Sequence, residues 1–258
     1  MKYTEKQINA LLTGIYSGSI TEMELPESLY FAIADYLKKS LYEGFGGTLI
    51  DFTGKPLELL TELRENIYMF SGAKTYTEVK EFTELLYNED GIKPFSTFKK
   101  EALGVYEKYN VDYLRTEYDT AIASGQQGYL WTKIVKDSDV LPYLKFTAVL
   151  DKNTTVECRH MDEIVARWDD KIWNTCYPPN HWHCRSSVLQ TDEEHLLSSS
   201  KDIAKAKKET EADMQDVFKM NCGKDGYVFK KDHPYFDVAP KDKAYAKNNF
   251  NLPIPTKD

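Results

Sequence analysis

Tyr177-Pro178-Pro179-Asn180-His181-Trp182-His183-Cys184-Arg185 sets two residues of fixed φ beside two imidazoles, a thiol and a guanidinium. Each proline locks its own φ and pushes the preceding residue towards extended geometry. The run therefore reads as a stiff, non-helical loop from which His181, His183 and Cys184 project. Upstream, Cys158-Arg159-His160 offers a second thiol and guanidinium just after the turn-like Asp151-Lys152-Asn153-Thr154-Thr155. The texture around both motifs is β. Tyr143, Phe146, Ala148, Val149 and Leu150 form an aromatic and β-branched run that stops at Asp151, and Arg185 to Gln190 supplies a second strand. Short elements around Trp168 and Trp173 lie between them.

Outward from this region the pattern changes to helix. Thr4 followed by Gln7 suits a capping box, and Ile8, Leu11, Leu12 and Ile15 recur at helical spacing until Gly18. Pro26 opens a second helix with Leu29, Tyr30, Ile33, Leu37 and Leu41 on one face and Gly44 as its stop signal. Pro56 opens a third, striped by Leu60, Leu63, Ile67 and Phe70 and ending before Gly72. Thr75 or Thr77 caps a fourth through Phe82 and Leu86. A longer helix runs from Ser96 to about Ala123, interrupted only at Gly104, and Gly125-Gln126-Gln127-Gly128 breaks it. Tyr129 to Val135 restarts as helix or strand, with helix favoured. A charged helix follows from about Ser198 to Lys219, and the remainder reads as a hairpin or clamp around Tyr227-Val228-Phe229 followed by an extended, proline-rich tail.

Bulk composition bounds the function. The 258 residues are 41% hydrophobic, enough for one large domain or two modest ones, and carry a formal net charge of −8. An acidic chain is a poor coat for nucleic acid, whose phosphates demand a basic surface. No apolar signal core or membrane-length apolar run occurs, so the expectation is a chain made and used without secretion, with its four cysteines reduced. Gly44-Phe45-Gly46-Gly47 lacks the Lys-Ser/Thr and preceding strand of a phosphate loop.

Cys158, His181, His183 and Cys184 are the candidate metal ligands, since zinc takes about four Cys or His donors in a tetrahedron. No Cys-x-x-Cys pair exists, and the alternation His181-x-His183 followed at once by Cys184 does not readily direct three side chains to one ion. His181 and Cys184, three apart, pair better. Nothing in the sequence marks Cys158 or Cys184 as an activated nucleophile. Cys176 and Cys222 read as packing residues. Arg159 and Arg185 read as clasp residues, hydrogen-bonding to carbonyls or to Asp162 and Asp169.

Taken in order, Tyr113 to Tyr118, the strand Tyr143 to Leu150, Asp151 to Asp162 with Cys158-Arg159, Trp168 to Trp173 and Pro178-Pro179-x-His-x-x-Cys184-Arg185 resemble the phage head morphogenesis family, similar to phage Mu F and the minor head protein of phage SPP1. Two departures stand out. Glu163 takes the place of a turn glycine after Asp162, and Ser186 takes the place of a last cysteine, so a four-ligand zinc site would need His183 or water. The resemblance implies an α+β fold: a helical N-terminal region (1–95), a small Mu F-like α+β domain with a short antiparallel sheet (96–195), and a C-terminal helix with an extended tail (196–258). Arg159, Asp162, Pro178, Pro179 and Arg185 are its structural motif residues. It further implies a minor capsid component, not an enzyme, that binds portal and capsid proteins. Such a protein would sit in the virion head near the portal after assembly in the bacterial host cytoplasm, with transient contact with phage DNA and none with membrane. The alternative is a metal-dependent nuclease or virion-carried toxin-like enzyme using His181, His183 and Asp169-Asp170.

Overall fold

Helix signals at the N-terminus act as their chemistry dictates. In the computed structural model, which describes residues 3–256, Thr4 caps α1 (Glu5–Ser17) by a reciprocal capping box with Gln7, and Gly18 closes it in the left-handed region. Helix α2 spans Glu27–Phe45 and α3 spans Gly54–Glu84. A two-residue hairpin, β1 (Tyr87–Asn88) with β2 (Gly91–Ile92), leads to α4 (Phe95–Glu107). A π-helical turn at Lys108–Tyr113 then joins α4 to α5 (Leu114–Asp137).

Three expected breaks are absent. Helix α3 runs through Gly72 and the threonines thought to cap a new helix, because Thr75 and Thr77 turn their hydroxyls back to the carbonyls of Ser71 and Ala73, at 2.8 and 2.9 Å. Gly104 lies inside α4, and the interruption falls instead at the π turn, whose extra residue lets consecutive Tyr109 and Asn110 both face inward. Helix α5 passes through Gly125 and Gly128. Here glycine serves a close crossing. A Cβ on Gly125 would fall 2.6 Å from the Leu41 carbonyl of α2, and one on Gly44 would fall 2.1 Å from the Ile122 carbonyl of α5.

The β texture resolves into a three-stranded antiparallel sheet in the order β4-β3-β5. Central β3 (Tyr143–Thr147) pairs with β4 (Val165–Arg167) and with β5 (Ser187–Thr191), in registers that set Leu144 opposite Ala166 and Gln190. Along β3, Leu144 and Phe146 are buried while their neighbours are partly exposed, the period-two pattern of a half-buried strand. Helix α6 (Val156–Met161) lies between β3 and β4 in sequence, and α7 (Ser200–Asp213) packs on it, with Thr210 donating to the Glu157 carbonyl and His160 Nε2 3.0 Å from Asp213 Oδ2. The α+β class read from the sequence is borne out.

Beyond β5 the described residues contain no strand; α8 (Cys222–Asp225), α9 (Lys243–Lys247) and 3-10 turns take over. Of the hairpin or clamp expected around Tyr227-Val228-Phe229, the hairpin does not form, because a side chain does the pairing. Asn66 accepts from the amides of Val228 and Phe229 at 2.9 and 2.8 Å and donates to the Phe229 carbonyl at 2.9 Å.

The chain divides into two compact units. One is built from the chain up to Lys38, Ile67–Tyr118 and the chain from His233; the other from Lys39–Asn66 and Asp119–Asp232. In the first, Leu12, Ile15, Ile33, Phe70, Phe82 and Phe98 are buried around a polar group, where Lys74 Nζ lies 2.8 Å from Glu117 Oε1 and Asn110 donates to Glu78 at 2.6 Å. In the second, Leu63, Ile134, Phe146, Trp173 and Tyr177 are buried beneath the sheet region that carries both cysteine motifs.

Candidate functional site

The two cysteine motifs meet through their neighbours. Asp151, in the turn after β3, takes the Arg185 guanidinium in a two-pronged ion pair at 2.8 and 2.9 Å, and Arg159 donates to the carbonyls of Asp151 and Thr154 at 2.6 and 3.2 Å. One turn is thus held from both sides by planar donors whose fork matches carboxylate and carbonyl geometry. The Arg185 hydrogen bonds hold the Asp151 carboxyl far below the usual carboxylate range. Asp162 and Asp169, the partners expected for the arginines, are used elsewhere. Asp162, at the end of α6, accepts the Ala148 amide at 2.8 Å, whereas Asp169 pairs with Arg167 at 3.0 Å.

The proline loop is anchored on its buried side. Pro178 and Pro179 are buried and joined by a cis peptide bond; Tyr177 donates to the Gln127 carbonyl at 3.0 Å, and Asn180 to the Cys176 carbonyl at 3.3 Å. Trp182 packs edge-on against Phe218 with ring centres 4.8 Å apart. This framework brings Cys184 to Cys158, with sulfurs 3.8 Å apart, and places His181 beside both; the three ligand atoms all lie within 4.8 Å of one another. Among the described residues this is the group of His, Cys, Asp or Glu side chains gathered closely enough to hold an ion.

His183 lies outside the group. Its backbone is left-handed, with φ of 59°, and the exposed ring turns away to Asp119, Nδ1 lying 3.1 Å from the carboxylate. Asp169 and Asp170 lie outside it too: Asp170 accepts the Ile172 amide at 2.8 Å as the cap of a 3-10 turn. Cys176 and Cys222 are buried, and burial pushes their thiols up to about 11 and about 12.

The clustered thiols differ from one another. The hydrogen bond to Cys184, then burial, raises Cys158, while the same hydrogen bond and the nearby His181 hold Cys184 well below the ordinary thiol range against the cost of burial. Burial alone would lower His181, but the hydrogen bond and charge of Cys184 raise it. The arrangement can therefore hold negative charge on sulfur beside an imidazole, which is the electrostatic state a soft metal ion or a proton would each stabilise.

Residues 100–189 match the family model described as Phage Mu protein F like protein, a span that takes in both cysteine motifs, β3, β4 and the start of β5. This segment resembles the Phage Mu F-like family. The resemblance read from the paired motifs is borne out. The chain is similar to the putative capsid assembly protein F of Escherichia phage Mu, at 32% identity over 75 residues, 29% of this chain and 17% of that protein. It is also similar to the Mu-like prophage FluMu F protein of Haemophilus influenzae, at 31% identity over 98 residues, 38% of this chain and 24% of that protein. The chain thus covers less than a quarter of either relative's length. No solved structure matches it.

Sequence reasoning missed Asp151 as the carboxylate of the clasp. Its signal was the Asp-x-Asn-Thr turn, in which Asp151 also accepts the Asn153 amide at 2.9 Å.

Proposed function

We propose that this chain is a minor head protein of a phage or prophage, acting in head morphogenesis, DNA packaging or DNA delivery by binding portal and capsid proteins. The observation that carries the reading is the Mu F-like match across both cysteine motifs, with a relative named for capsid assembly. The geometry supports a binding role: the motif arginines brace a turn, and Asp169 and Asp170 serve an ion pair and a cap, so neither is placed with His181 and His183 as a hydrolytic metal site would need. The net charge of −8 favours protein partners over a DNA coat, leaving contact with phage DNA transient. Among the described residues no helix is long and apolar enough to cross a membrane. The working location is the head, near the portal, after assembly in the host cytoplasm.

The test is co-expression with the portal and major capsid proteins of the same genome, followed by gradient sedimentation of assembled heads. The chain should travel with the heads in few copies and co-purify with portal protein. Exclusion from heads, or metal-dependent cutting of DNA by the purified chain, would overturn the reading in favour of an enzyme.

A further inference from the structure

Two free cysteines can approach one another for three reasons: to form a disulfide, to pack, or to share a metal. Separation excludes the first, and what stands beside the pair distinguishes the other two. A disulfide brings the sulfurs to about 2.05 Å. Two thiolates on one tetrahedral zinc, each about 2.3 Å from the ion, lie about 3.8 Å apart. Cys158 and Cys184, 26 residues apart in sequence, stand with their sulfurs at 3.8 Å. His181 completes a third corner within the same compact triangle.

The imidazole is oriented for the task. His181 Nδ1 lies 2.7 Å from the Trp182 carbonyl oxygen and donates to it, which leaves Nε2 with the free lone pair. That is the arrangement in which metal-binding histidines are usually held, the second ring nitrogen tied to a carbonyl or carboxylate. Charge agrees as well: two thiolates and a neutral imidazole cancel a divalent cation, so the half-buried complex carries no net charge to desolvate. Sulfur and imidazole donors select zinc and reject the hard, oxygen-seeking magnesium and calcium.

We propose that Cys158, His181 and Cys184 bind one zinc ion, with a water in the fourth position. A recess of about 10 Å³, lined by His181, Ser186, Arg185, Thr154, Asn153 and Val149, opens beside the cluster and is the size of about one water. None of these lining residues is a carboxylate, and the ion ties α6, which carries Cys158, to the proline loop, which carries His181 and Cys184. This inference is independent of the head-assembly reading.

The test uses the whole chain, purified under reducing conditions without chelator. Metal analysis should find about one zinc per chain, and cobalt added to metal-free protein should give the intense absorption of thiolate-bound tetrahedral cobalt. Cys158→Ser, Cys184→Ser and His181→Ala should each abolish stoichiometric binding, whereas His183→Ala should leave it intact. If the serine variants do not fold, the cobalt spectrum of the unmutated chain and the contrast between the two histidine variants decide. Folded protein with reduced thiols that takes up neither zinc nor cobalt overturns the proposal. So does a Cys158–Cys184 disulfide in protein isolated under native redox conditions, or loss of metal in His183→Ala.

Discussion

Ser186 is buried and lines the recess beside His181, and its hydroxyl acts on the neighbouring Cys158 thiol to lower it. A thiol there would enter the space assigned to water and convert a three-ligand zinc into a closed, four-ligand site of the kind that structural zinc prefers. Ser186→Cys should therefore slow transfer of zinc to a competing chelator at least about tenfold, the lower end of what a change around a metal's ligands commonly makes. An unchanged transfer rate would mean that the open position points away from Ser186. At this scale the sequence revealed residue types but not directions. Cys158, His181 and Cys184 could all be named, yet His183 has the same donor chemistry two residues from His181 and is turned out by one left-handed backbone angle. Glu163 was legible for a related reason: it stands where the family resemblance expects glycine, and its φ of 66° lies in the region glycine favours.

Elements are legible where one signal has one meaning. Capping boxes, strand alternation and proline starts each placed an element close to where it lies. Glycine within an apolar helical pattern has two meanings, an end or a close approach, and only the neighbouring helix distinguishes them. Gly44 and Gly125 mark the crossing of α2 and α5, where an added Cβ would meet backbone carbonyls that cannot move aside like a flexible side chain. Gly104, inside α4, has no heavy atom within 4 Å of an added Cβ. The same substitution should thus have opposite signs at the two sites. Gly44→Ala should lower unfolding stability by about 1–3 kcal/mol, the usual cost of overpacking. Gly104→Ala should raise it by up to about 1 kcal/mol, the difference in helix propensity. Denaturant melts of both variants check this, and equal effects would show that α2 and α5 do not cross as closely as the backbone indicates. The threonines of α3 follow the same logic: a cap and a back-bonded helix interior use the same hydroxyl, and the apolar stripe continuing on both sides of Thr75 decided for the interior.

The whole molecule is acidic, and its surface carboxylates suggest a protein that loses stability only as pH falls. Asp151, Asp169 and Asp216, held down by Arg185, Arg167 and Lys219 respectively, do act in that sense: their contribution is present above the unfolded pKa and lost as pH falls through the lower folded one. Glu78 acts in the opposite sense. Its carboxyl is fully buried on α3, with Oε1 accepting from Asn110 and Oε2 without a hydrogen-bond partner. Burial pushes it up to about 8, against the opposing influence of Lys74 and Asn110 and with smaller support from Glu117 and Glu81. Because the folded pKa lies above the ordinary carboxyl value of 4.5, Glu78 contributes fully below that value, and that stability drains away as pH rises towards 8. The scale is about 1.4 kcal/mol for each unit between the two pKa values, an upper bound that relaxation around the charge reduces. Glu78→Gln keeps the shape and the hydrogen-bonding amide while removing the titration. Chemical denaturation from pH 5 to 8 should show unmutated protein weakening with rising pH and Glu78→Gln nearly level across the same interval. Parallel curves would assign the slope to Lys74 and Glu117, whose buried pair lies beside Glu78. The sequence does not show this, because Glu117 and Asn110, which pair with Lys74 and Glu78, lie 43 and 32 residues away along the chain.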